Sequence, residues 1–292
     1  MKNEKSSKAL FISSMAVFGT IAVFTKNIPL PTSEMVLYRA LLAAFLIGIF
    51  LIFKKRTILF KKIKKALPAL LLSGVAMSIN WILLFEAYNY TSVSSATLSY
   101  YFAPVIVTVV SPFLFKEKLS LKQIICFIMS TLGIVLITGF SKSSEGSSDM
   151  LGIALGLGAA TFYATVIILN KFIKDIDGIT RTFLQFIAAI ITLIPYVAFT
   201  CGTNVSLLDT KGLICLLILG FVHTGIAYCM YFSSLKDMSG QKVAILSYID
   251  PVIAVLISVF FLHEGMNIWQ CIGGAMILGF TLWNELTPKV KK

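Results

Sequence analysis

The sequence predicts an all-α integral membrane protein with ten transmembrane helices in two inverted five-helix repeats. Three observations carry this expectation. The 292 residues are 58% hydrophobic and only 13% charged, with a mean hydropathy of +0.90, where ordinary soluble chains carry about 25% charged residues. Apolar runs of about 18 residues or more recur from Leu10 to Trp283, each long enough at about 1.5 Å per residue to cross a hydrocarbon core of about 30 Å. The chain also matches itself, Ser73–Gly133 lying in register with Gly220–Phe280. At about 29 residues per span and loop there is no room for a separate soluble catalytic domain, so function must be built from the spans.

The spans are expected at 9–25, 34–53, 66–88, 93–115, 121–139, 150–170, 181–200, 212–233, 242–262 and 267–286. The first follows Lys2, Lys5 and Lys8. Thr20-Ile21-Ala22 within it mimics a weak signal-peptide cleavage site, but the apolar run continues to Phe24 and has a counterpart later in the chain, which favours retention. The second span has Glu34 near its start, read with Glu86 as a wet surface carboxylate, and Arg39 five residues inside. The span 150–170 presents Gly152, Gly156, Ala160 and Ala164 at a spacing of four, a ladder that lets another backbone approach closely. Its expected partner is the small-residue face Ser13, Ala16, Gly19 and Thr20 of the first span, or a neighbouring helix. Cys126, Cys201, Cys215, Cys229 and Cys271 lie in or at the ends of spans without metal-ligand spacing and read as small apolar residues. No metal or cofactor is expected.

The net charge of +12 would suggest nucleic acid in a soluble protein. Here it is topological. With a cytoplasmic N-terminus, every Lys and Arg except Lys26, Arg39, Lys142 and Lys211 falls on the inner side, so the positive-inside rule places both termini in the cytoplasm and the chain in the plasma or inner membrane. The basic run Lys54–Lys65 then faces the lipid of the inner leaflet, and no nucleic-acid partner is implied.

The internal match pairs Tyr101 with Tyr248, Pro104-Val105-Ile106 with Pro251-Val252-Ile253, Ser111 with Ser258, Glu117 with Glu264 and Gln123 with Gln270. Apolar composition alone does not place Pro, Glu, Gln, Ser and Tyr in register. The halves are read as 1–140 and 150–292, joined by an external Ser/Gly linker, 141–149. Because five spans is an odd number, the second half enters the membrane in the opposite sense, the plan of many secondary transporters.

The chain resembles the EamA-type branch of the drug/metabolite transporter superfamily. The likeness rests on Val17-Phe18-Gly19-Thr20, Tyr38-Arg39-Ala40, Phe85-x-Ala87, Tyr101-x-x-Pro104, Glu117-Lys118-Leu119, and Tyr248-x-Asp250-Pro251 with His263-Glu264 in the second half. The first span lacks the Trp often found there in the family. The resemblance implies ten helices in inverted halves and transport of small metabolites, often outward, without naming a substrate.

Charge inside a span is costly and asks for an explanation. Asp250 lies eight residues past Lys242, about 12 Å from the inner face, and His223 lies about 17 Å from the outer face, so the two share a depth and could form a proton- or cation-binding pair. Alternatively Asp250 caps a broken helix or pairs with Arg39, and His223 is a packing residue. Arg39 either binds a substrate carboxylate or joins helices. The resemblance favours joining, since the family keeps this arginine across varied substrates. Pro104 and Pro251 interrupt corresponding helices and withdraw the amide partners of the Tyr100 and Ser247 carbonyls, which places the pathway along the spans 93–115 and 242–262. Asn80, Trp81, Tyr100, Tyr101, Tyr163, Tyr228, Tyr231 and Tyr248 supply the scattered polar groups that would line an apolar cavity for an amphipathic solute.

The expected function is secondary active transport of small metabolites such as amino acids, as a proton-coupled exporter, by a monomer or homodimer. An uptake carrier or facilitative exchanger is the alternative. A channel fits two inverted halves less well. An intramembrane enzyme is disfavoured, because Gly-x-Ser-x-Gly is absent, His263-Glu264 lacks the second histidine of a zinc motif, and one deep acid cannot make a two-aspartate protease. Topology is directly testable: labels in 141–149 should react from outside and labels in 54–65 only from inside, and the inverted arrangement fails if both report one side.

Overall fold

The computed structural model describes residues 2–54, 60–115, 120–139, 146–173, 176–235, 238 and 246–286, among which there is no strand. The helices are α1 (Lys2–Gly19), α2 (Ile21–Thr25), α3 (Thr32–Phe53), α4 (Phe60–Tyr90), α5 (Val93–Tyr100), α6 (Ala103–Phe115), α7 (Leu121–Gly139), α8 (Gly146–Phe172) and α9 (Gly178–Thr200), followed by α10 (Thr210–Leu217), α11 (Ala227–Ser234), α12 (Ile249–Leu256) and α13 (Ile268–Glu285). A π-helical stretch, Ile218–Ile226, makes α10 and α11 continuous, and another, Ile257–Phe261, extends α12. Among the described residues seven runs, from Lys5–Thr25 to Thr210–Ser234, are long and apolar enough to cross a membrane, and Leu121–Ile137 and Ile249–Phe261 are shorter apolar helices. The chain is a multi-pass helical membrane protein.

Helices dominate because lipid offers backbone groups no hydrogen-bond partner, so each segment must satisfy its own. Their ends are closed by side chains. Ser92 accepts from the Ser95 amide to start α5, Asp177 from Thr180 to start α9, and Asp209 from Gly212 to start α10. The duplicated glutamines have one local role. The Gln270 side chain accepts from the Asn267 amide at 2.9 Å, and the Gln123 side chain accepts from the Ser120 amide at 2.8 Å, each as the returning half of a capping box.

Some boundaries differ from the sequence expectation. α8 starts at Gly146, so 146–149 form its first turn, where the buried Asp149 accepts a hydrogen bond from Thr91. α4 starts at Phe60 and carries Lys64 and Lys65 on helix rather than loop. Outside the described residues lie 55–59 of the basic run, 141–145 of the linker, Glu117-Lys118-Leu119 and Lys242.

α1 packs on α11 and α12, α3 on α9 and the first π stretch, α4 on α8 and α9, α5 and α6 on α8, and α7 on α13. The main core draws on α3, α4, α9 and the α10 region, with Ala40, Ala43, Ala87 and Ala189 fully buried so that backbones meet closely. The ladder on α8 meets α5 and α6, not the first span. A Cβ on Gly156 would stand 3.0 Å from the Ala96 carbonyl oxygen, and Ala160 and Ala164 cluster with Ala103. The first span instead spends Gly19 on α12.

Candidate functional site

Three helix interruptions define the centre of the molecule. Tyr101 and Phe102 separate α5 from α6 ahead of Pro104, and Tyr248 is a turn between helical residues 246–247 and α12 ahead of Pro251. The third, at Thr20 between α1 and α2, involves no proline. There the Thr20 hydroxyl lies 2.8 Å from the Val17 carbonyl. These interruptions adjoin one another. The Tyr101 hydroxyl donates to Asp250 Oδ2 at 2.5 Å, tying the first broken helix to the second. A Cβ on Gly19 would lie 2.7 Å from the Asp250 carbonyl oxygen, so only glycine lets α1 seat against the start of α12.

Asp250, Tyr100, Tyr101 and Tyr228 are half-buried and Tyr163 is 39% exposed. All five thus keep accessible surface, and Tyr101 and Asp250 stand at the interruptions themselves. The tyrosines form an aromatic cluster: Tyr100 packs on Tyr101 and Tyr163 with ring centroids 5.7 and 5.2 Å apart, and Tyr228 packs on Phe18 and Phe186. Tyr231 belongs to the same cluster through Phe11 and Phe232. Tyr248 stands at the second interruption. The cluster offers hydroxyls, one carboxylate and broad apolar faces.

Two sequence-predicted residues lie in the packed interior. Asn80 is buried and donates to the Ala159 carbonyl at 2.7 Å, joining α4 to α8. Trp81 is buried between Phe186 and the Arg39 guanidinium, whose carbon stands 4.5 Å from its ring centre. Arg39 also lies over Phe85 and donates through Nε to Thr224 at 2.7 Å. Its partners are thus a hydroxyl and two aromatic faces, and its Nη1 has no hydrogen-bond partner. Thr224 in turn donates to the Leu219 carbonyl, five residues back in the π stretch.

His223 and Asp250 are not bonded to each other. His223 Nε2 contacts the Thr20 hydroxyl at 3.0 Å, its Nδ1 faces the Ile218 carbonyl, and its ring rests on Phe24, while Asp250 holds Tyr101 and not Arg39. Equal depth did not make them neighbours because the interruption at Thr20 sits between them. Glu34 also departs from the wet-surface expectation. It is fully buried and accepts from Tyr38 and from the Asn204 backbone and side chain, pinning the loop after α9 to α3. Glu86 accepts from Thr32 and Asn89 at a partly buried helix end.

The residues that sequence reasoning missed are Thr20 and Thr224. The only signal was a small residue beside glycine: Gly19-Thr20 in one case, and Thr224-Gly225 in the other.

Comparison with known proteins settles the family. A model of the EamA-like transporter family matches residues 6–139 and again residues 150–284. The chain belongs to the EamA-like transporter family. It is similar to the uncharacterized transporter YxxF of Bacillus subtilis (strain 168), 31% identical over 277 residues, covering 94% of this chain and 88% of that protein. An uncharacterized transporter of Clostridium kluyveri is 26% identical over 290 residues, covering 96% and 93%. One crystal structure, 16% identical, shares the fold with a TM-score of 0.65 over 95% of both chains. The family and these names indicate a transporter of small solutes rather than an enzyme.

Thr224 is the testable joint of this site. Thr224→Val removes both the acceptor for buried Arg39 and the donor to Leu219, and should cost about 1–3 kcal/mol of stability. Thr224→Ser should cost little, and thermal unfolding in detergent compares them.

Proposed function

We propose that the protein is a secondary active transporter that exports small amphipathic solutes, amino acids or related compounds, across the plasma membrane in exchange for protons. The observation that carries this reading is the Tyr101–Asp250 hydrogen bond, which places a titratable carboxylate at the meeting of two interrupted helices. A carboxylate there can take a proton from one side and give it to the other when the halves exchange shape. In this reading the termini are cytoplasmic and ten spans form two inverted halves, 1–140 and 150–292, joined on the outside by the segment that leads into α8 at Gly146.

The family match to each half in turn supports duplication. The helix pairings support two halves packed in equivalent ways. Exchanging the halves turns α1 on α12 into α8 on α5 and α6, and turns α3 on the π stretch into α9 on α4, and all four pairings are present. Alternating access then needs only that each half adopt the other's arrangement around one cavity. Arg39, buried under Trp81 and Phe85, ties α3 to the π stretch and serves the helix joint rather than substrate. His223, sealed against Thr20 and Phe24, acts on the interruption rather than on substrate.

A facilitative exchanger would use the same cavity without needing Asp250 to titrate. Comparing metabolites in medium and cytoplasm of cells with and without the protein identifies the solute, and Asp250→Asn then separates the readings. The variant keeps size and hydrogen bonding but cannot titrate, so vesicles should lose accumulation driven by a pH gradient while keeping downhill exchange. Unchanged pH-driven uptake contradicts coupling, and lost exchange favours a cationic substrate bound by Asp250.

A further inference from the structure

We infer that Lys26 and Glu264 form the latch that closes one mouth of the pathway, the outer one in the topology proposed above. Glu264 joins elements that belong to different halves. One carboxylate oxygen pairs with Lys26, just past α2, and the other accepts from the Val93 amide at 2.7 Å and from the Ser258 hydroxyl at 2.5 Å. Val93 is the first residue of α5, so its amide is one that a helix leaves without an internal partner, and a carboxylate suits it. Ser258 accepts from the next amide, Ser94, at 3.2 Å. The end of the second π stretch is thereby fastened to the start of α5. His263 holds a left-handed backbone, φ 54°, in the residue before Glu264, a conformation costly for a non-glycine residue that the surrounding bonds maintain.

Two further observations separate a latch from an ordinary surface pair. The side chains are 31% and 16% exposed, so the pair is shielded enough to hold and wet enough to be broken in each cycle. Lys26 also walls a cavity of about 330 Å³ with Thr25, Met35, Tyr88 and Phe85, and Phe85 lies against the Arg39 guanidinium of the central site. The latch thus stands beside a space whose floor touches that site. Any motion that parts the halves at this end must free Glu264 from Lys26 and Val93, and Ser258 from the Ser94 amide, together.

The inference rests on the transport reading, but its test uses neither substrate nor protons. Ser94 is fully buried beneath the latch and its hydroxyl has no partner, so Ser94→Cys places a thiol there at little cost. In the full-length protein with its native cysteines replaced by serine, a membrane-impermeant maleimide is presented to whole cells and, separately, to inside-out vesicles. Glu264→Gln retains acceptors for Val93 and Ser258 but loses the charge, and Lys26→Gln leaves the helix start untouched. Each should speed labelling from outside by about five- to tenfold, and the double variant should add little beyond either, because one pair is broken. Unchanged labelling from outside in Lys26→Gln, or a gain confined to the inside, overturns the latch. If Glu264→Gln fails to insert, Lys26→Gln alone decides. Failure here leaves the Asp250 experiment informative, and failure of proton coupling leaves the labelling result standing.

Discussion

A backbone in lipid cannot leave its hydrogen-bonding groups to water, and this constraint shapes the molecule from its loops to its centre. A helix can be interrupted only where side chains or a cavity take over from the missing ladder. Here the interruptions at Thr20, Tyr101 and Tyr248 lie together, and polar side chains crowd the same place. Thr20 turns its hydroxyl to Val17, Thr224 turns its own to Leu219, and Tyr101 reaches Asp250. Concentrating the breaks puts them where side chains from distant segments meet, as Thr20 meets His223 and Tyr101 meets Asp250.

The same constraint explains which parts were legible in the sequence. Long apolar runs, proline pairs and a register match between halves are properties of composition and order, so spans and interruptions at Pro104 and Pro251 could be read directly. The duplicated glutamines could be read as a repeat, but their capping boxes needed the neighbouring Ser120 and Asn267 in place. What could not be read depended on approach between distant segments. Depth arithmetic put His223 level with Asp250, yet it ignores rotation about the helix axis and the offset at Thr20. Glu34 counted as surface because it opens a span, but the loop after α9 folds over it and Asn204 closes the site. The π stretch that carries Thr224 has no proline to announce it, only Gly220 and Gly225 on either side.

The charged groups divide between two tasks. Arg39 and Glu34 hold helices and loops together through neutral partners. Asp250 and Glu264 link elements from opposite halves, one at the centre and one at a mouth. Arg39 and Glu34 also bond across the halves, to Thr224 and Asn204, so all four charged groups tie the first half to the second. Asp250 and Glu264 keep partial exposure, whereas Arg39 and Glu34 are almost completely buried.

The central claim is that Asp250 changes protonation while bonded to Tyr101, and infrared difference spectroscopy of the purified protein across a pH titration addresses it without knowledge of the substrate. A protonated carboxyl band that titrates, disappears in Asp250→Asn and shifts in frequency in Tyr101→Phe is the predicted result. A titrating band that persists in Asp250→Asn, or the absence of any such band between acid and neutral pH, would contradict it.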